Sequence, residues 1–214
     1  MTDLQHTQRH PWLAKVFGYA LLGFVRLLTG AQARWYGSPP KAEQRIYFAN
    51  HQSHADLVMI WAALPEELRS ITRPIAARDY WTKSDFKRWI TTAVFNAVYV
   101  DRERQGDEDP LQPLIDALQS GDSLIIFPEG TRGHAAEPQA FKAGLYNLAL
   151  RFPDVVMVPA WIANVQRVMP KGEVVPVPVL CSVTFGAPIR LEPGEERRAF
   201  LDRARAAVIA LRDV

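Results

Sequence analysis

The feature that most constrains the fold is a series of short runs that are apolar at nearly every position. Ser123-Leu124-Ile125-Ile126-Phe127 is the clearest; Arg45–Ala49, Pro74–Ala77, Ala97–Val100, Val155–Ala160 and Leu180–Phe185 repeat it. A strand with one wet face alternates apolar and polar residues, whereas a strand apolar throughout is buried on both faces. Between these runs lie stretches with helical spacing: Asp56–Leu64, Tyr80–Thr92, Leu111–Leu118, Phe141–Phe152 and Glu195–Leu211. The last carries Phe200, Leu201, Ala204, Val208 and Leu211 along one side. Two-sided strands alternating with helices define an α/β fold, a single domain with a mostly parallel buried sheet flanked by helices.

Composition agrees with a folded domain. The chain has 214 residues, 48% apolar and 22% charged, which is enough to close one core. Net charge is +2, and the basic residues are scattered rather than run together, which argues against a nucleic-acid partner. The one cysteine, Cys181, has no second thiol to pair with. It reads as a core residue of its strand rather than a nucleophile, because no histidine is near it in sequence.

The segment before Gly37-Ser38-Pro39-Pro40 is different. From Pro11 to Leu28 it is strongly apolar and rich in aromatics, with Trp12, Phe17, Tyr19 and Phe24. Its uncharged run, Val16–Val25, is too short to span a bilayer and is bracketed by Lys15 and Arg26. A helix lying on a membrane surface and a helix packed on the domain fit equally well. A secretory signal is a weaker third reading, resting on Ala31-Gln32-Ala33. Taken as a membrane-docking apolar helix, residues 1–36 precede a domain spanning 37–214.

In open α/β sheets, ligands gather at the carboxyl ends of the strands. Two polar segments fall there: Asn50-His51-Gln52-Ser53-His54-Ala55-Asp56 and Pro128-Glu129-Gly130-Thr131-Arg132-Gly133. On a regular helix, residues 51 and 56 would be about 140° apart. They can meet only if His51 lies in a loop and Asp56 at the helix start. A carboxylate on one ring nitrogen would fix the tautomer and leave the other nitrogen as a base. The nucleophile would then belong to the substrate. The plainer alternative makes Asp56 a helix cap and His51 a polar loop residue. A metal site built on His51, His54 and Asp56 lacks a recognisable zinc spacing. In the second segment, Gly130 permits a tight turn and Arg132 is a fork-shaped anion binder. Arg102 ends another strand and could join it.

Together these segments resemble the glycerophospholipid acyltransferase family. Its histidine, four residues and aspartate are matched by His51 to Asp56. Its Phe-Pro-Glu-Gly-Thr-Arg block is matched at every position by Phe127 to Arg132. Its glycine-led block ending in arginine is matched by Asn96 to Arg102, with asparagine in place of glycine. Val158-Pro159 and Phe141-Lys142-Ala143-Gly144 match further blocks. The resemblance implies an O-acyltransferase of phospholipid biosynthesis with His51 as general base and Asp56 orienting it. It implies that Arg102, Glu129, Gly130, Thr131 and Arg132 hold a phosphate-bearing acceptor such as lysophosphatidic acid. It implies an acyl-CoA or acyl-carrier-protein donor, no metal or cofactor, and association with the cytoplasmic face of a membrane. Two rivals stand beside this: the same chemistry on another acceptor, such as a lyso-ornithine lipid, and a non-catalytic lipid-binding protein of the same fold.

Overall fold

The structure is a computed structural model that describes residues 11–30, 32–53, 55–101, 109–133, 135, 137–164 and 180–214. Among them, seven strands form one sheet: β1 (Gln32–Trp35), β2 (Arg45–Ala49), β3 (Thr72–Ala77), β4 (Val98–Val100), β5 (Ser123–Ile126), β6 (Val156–Ala163) and β7 (Ser182–Phe185), in the order β1-β7-β6-β2-β5-β3-β4. Every pairing is parallel except β6 with β7.

Helices cover both faces, which explains the unbroken apolar runs. Tyr47, Ala49, Ile125 and Val158 face a core built with α2 (Asp56–Ala63) and Leu22 of α1 (Pro11–Thr29). Their neighbours Ile46, Phe48, Leu124 and Ile126 face the other side, against α6 (Gln112–Gln119), α7 (Gly144–Arg151) and α8 (Arg197–Ile209). Cys181 belongs to the first core, and burial pushes its thiol up to about 11, as fits a core residue.

The structure corrects the expected helix at Tyr80–Thr92. The chain there is broken into α4 (Arg78–Trp81), α5 (Asp85–Trp89) and a π-helical segment, Ile90–Val94; α3 (Glu66–Ser70) precedes β3. Ser84 caps a fresh start by accepting from the Lys87 amide, and the Thr91 hydroxyl bonds back to the Lys87 carbonyl at 2.9 Å. Such hydroxyls compete with the backbone ladder and bend helices. Strand β1 is an exposed edge strand without an apolar run, so the sequence does not announce it; Trp35 carries its packing, stacked 4.1 Å from Phe185.

Helix α1 is half packed. Leu22 is buried, Phe17 lies 5.2 Å from Trp89, the Tyr19 hydroxyl donates to Glu66 at 2.7 Å, and Arg26 donates to the Ala62 carbonyl at 3.4 Å. Gly30 ends the helix in the left-handed region at φ 67°, its amide bonded to the Arg26 carbonyl. Among the described residues no helix is long and apolar enough to cross a membrane.

Candidate active site

Strands β2 and β5 are neighbours at the centre of the sheet and run the same way. The loops leaving their carboxyl ends, 50–55 and 127–133, therefore emerge side by side. Sequence placed the two polar segments at strand ends; the topology makes those ends adjacent.

Asn50 extends β2 by one residue through its side chain. Its amide nitrogen donates to the Ile162 carbonyl at 3.1 Å and its oxygen accepts from the Ile162 amide at 2.8 Å. The loop then turns, and Asp56 begins α2 below it. One Asp56 oxygen, Oδ2, accepts three hydrogen bonds: from the amides of Gln52 at 2.6 Å and Ser53 at 2.8 Å, and from Nδ1 of His51 at 2.8 Å. Because a carboxylate oxygen only accepts, Nδ1 carries the proton of this bond, and in the neutral ring the lone pair falls on Nε2. The Asp56 side chain is 1% exposed while His51 is 21% exposed, so the carboxylate is internal and the ring reaches the surface. Phe127 stacks on that ring at 4.3 Å and 17°.

The β5 turn completes the site. Glu129 is buried, with Oε1 accepting from the His51 amide at 2.7 Å and Oε2 from the Gln139 amide at 2.8 Å. Burial pushes its carboxyl above the ordinary value, and the Gln139 and His51 amides draw it back. Gly130 adopts φ 70°, which a side chain would strain. A β-carbon there would also lie 2.6 Å from Nζ of Lys142, so the lysine lies across the turn. The Lys142 amide bonds to the Pro128 carbonyl at 2.9 Å, which holds Phe141-Lys142 to the turn and delays α7 to Gly144. Thr131 and Arg132 are exposed beside it.

Of the residues singled out from sequence, His51, Asp56 and Glu129 are thus in direct contact, and Gly130, Thr131 and Arg132 form the adjoining surface. Arg102 and His54 lie outside the described residues. Asn96, found where the family's block begins with glycine, has φ 48°, a left-handed backbone that asparagine tolerates better than other side chains. Sequence reasoning missed Phe127 as a ring platform and Asn50 as a strand extension, although both sat inside quoted motifs. Gln139 gave no signal, because it contributes a backbone amide. Among the described residues no group of three histidines, cysteines or carboxylates is placed to hold a metal.

A groove of about 1110 Å³ runs between α1, the π-helical segment and the β4 edge. Leu22, Trp61, Val94 and Phe95 give it an apolar wall, and charged residues of both signs line the rest, Arg69, Arg73 and Arg78 with Glu66 and Asp116.

A mostly parallel α/β sheet thus presents a carboxylate-held histidine at the end of a central strand, beside a glycine–arginine turn. The chain belongs to the acyltransferase family, whose family profile, "Acyltransferase", matches residues 36–163. It is 29% identical over 199 residues to human 1-acyl-sn-glycerol-3-phosphate acyltransferase alpha, covering 89% of this chain and 67% of that protein. It is also 29% identical over 213 residues to the 1-acyl-sn-glycerol-3-phosphate acyltransferase of Cocos nucifera, covering 88% and 61%. The chain spans 66% of the Ovis aries relative and 45% of the Mus musculus one. In fold it is similar to the crystal structure of the 1-acyl-sn-glycerophosphate (LPA) acyltransferase PlsC from Thermotoga maritima, with a TM-score of 0.67 and 22% identity over 96% of this chain and 79% of that one.

Proposed function

We propose that this protein transfers a fatty acyl group from acyl-CoA or acyl-carrier protein to the free hydroxyl of lysophosphatidic acid or a related lysolipid. The observation that carries the mechanism is the single Asp56 oxygen that gathers the His51 Nδ1–H with two loop amides. It supports Nε2 as the proton acceptor. In the reaction Nε2 removes the proton of the acceptor hydroxyl as its oxygen attacks the thioester carbonyl. The tetrahedral intermediate then collapses with cleavage of the C–S bond, and the imidazolium, stabilised meanwhile by Asp56, returns its proton to the departing thiolate. The names of the relatives favour a lysophosphatidic acid acceptor. A panel of lysolipid acceptors, read by mass spectrometry with each donor, tests the assignment; turnover of only phosphate-free acceptors would sink it.

Arg132 is the exposed cation of the β5 turn and holds the acceptor phosphate. A hydrogen bond to a charged group contributes about 1.5–3 kcal/mol, so Arg132→Ala raises the acceptor KM roughly tenfold to a hundredfold. Arg132→Lys recovers only part, since a point charge replaces a fork. An unchanged acceptor KM in Arg132→Ala would remove the residue from the site.

The outer face of α1 docks on the membrane, at its cytoplasmic surface. At about 100° per residue, Trp12, Val16, Phe24 and Leu27 fall within about 120° of arc, and all are exposed. Lys15 and Arg26 border that arc, placed to meet anionic head groups. Val16→Glu with Leu27→Glu lowers binding to anionic vesicles at least tenfold, on the order of 1.4 kcal/mol, without lowering Tm, because neither side chain is packed. Undiminished sedimentation with vesicles would place the anchor elsewhere.

A further inference from the structure

We infer that Glu129 is a positioning residue for His51 rather than a ligand of the acceptor, an inference that rests on His51 being the base. Its side chain is 2% exposed, and each carboxylate oxygen already faces a backbone amide: His51 at 2.7 Å and Gln139 at 2.8 Å. The same turn grips His51 from the other side, where the Gly133 amide donates to the His51 carbonyl at 2.8 Å. A β-carbon at Gly133 would lie 3.2 Å from Oε2 of Glu129, so glycine lets the turn close over the carboxylate. Phe127, two residues before Glu129, supports the ring.

His51 needs this help because it lies just past the end of β2, where the sheet ladder no longer holds its backbone. Asp56 fixes one ring nitrogen and therefore the rotation of the ring. It does not fix where the ring as a whole stands. The Glu129 and Gly133 bonds set that position by holding both backbone polar groups of the residue. A carboxylate suits the task because it offers two equivalent acceptors to two amide donors, and charge-assisted bonds of this kind are about twice as strong as neutral ones. Glutamine would keep the shape but set its NH₂ group against one of the two N–H groups.

The test uses the full-length enzyme with long-chain acyl-CoA and lysophosphatidic acid, and reads kcat, acceptor KM and the effect of combining variants. A misplacement near 1 Å can cost on the order of 10²-fold in rate, so Glu129→Gln lowers kcat by about that factor while the acceptor KM stays the same. In a His51→Ala background, Glu129→Gln costs nothing further, because the group it positions is gone. Glu129→Asp keeps both acceptors on a shorter arm and falls between wild type and Glu129→Gln. If Glu129→Gln does not fold, Glu129→Asp carries the same readouts. Two results overturn the inference: a raised acceptor KM with kcat preserved, or an equal fold-loss in the His51→Ala background. A well-folded His51→Ala enzyme with near-normal turnover is a different result; it overturns the general-base reading itself and this inference with it.

Discussion

His51→Ala lowers kcat by about 10²–10⁴-fold, the usual worth of general-base assistance, while Tm and donor binding persist. The fold should tolerate the change, since the ring is part exposed and, among the described residues, its contacts are Asp56 and the face of Phe127. Asp56→Asn gives a loss of similar order, for a reason visible in the geometry. If the amide oxygen takes the place of Oδ2, its NH₂ group is left buried where Oδ1 has no partner among the described residues. If the amide turns over, it donates to Nδ1, favours the tautomer protonated at Nε2 and removes the base. Chelators leave the rate unchanged. Steady-state kinetics with thermal denaturation checks all of this, and normal turnover by well-folded His51→Ala protein would end the mechanism.

The largest effect on stability belongs to Asn50. Its side chain is 1% exposed and makes both hydrogen bonds of a strand pair with Ile162, whose own burial is 2% exposure. Asn50→Ala leaves an amide and a carbonyl unpaired in the interior. Each costs about 1–3 kcal/mol, so the loss is roughly 2–6 kcal/mol, a large part of an ordinary domain's stability. At about 2–4 °C per kcal/mol for a chain of this size, Tm falls well outside error. Turnover falls too, since His51 is the next residue. A Tm within about 2 °C of wild type would show that neighbouring groups replace the amide.

How much of this was legible in the chain follows from what each feature depends on. The two-sided runs at Arg45–Ala49 and Ser123–Phe127 could be read because burial on both faces leaves no alternation, and the structure places β2 and β5 there within a residue. Edge strand β1 could not, because its residues are mostly exposed and only its pairing with β7 makes it a strand. The broken region from Arg78 to Val94 shows local chemistry overruling helical periodicity: Ser84 caps a new turn and Thr91 bonds back to the chain.

The site divides the same way. Sequence determined the residue types and their order: a histidine, an aspartate five positions on, and a Pro-Glu-Gly-Thr-Arg turn after a buried strand. It also determined that His51 and Asp56 could meet only with the histidine off the helix, since that constraint is local geometry. Tertiary structure alone decided that β5 lies beside β2, because strand order depends on packing between elements 78 residues apart rather than on any short-range preference. That adjacency turns Glu129 inward onto the His51 amide, lays Phe127 under the ring and leaves Arg132 outside. A motif lists its residues without saying which face the ligand and which face the protein; burial and hydrogen bonding across neighbouring strands make that division.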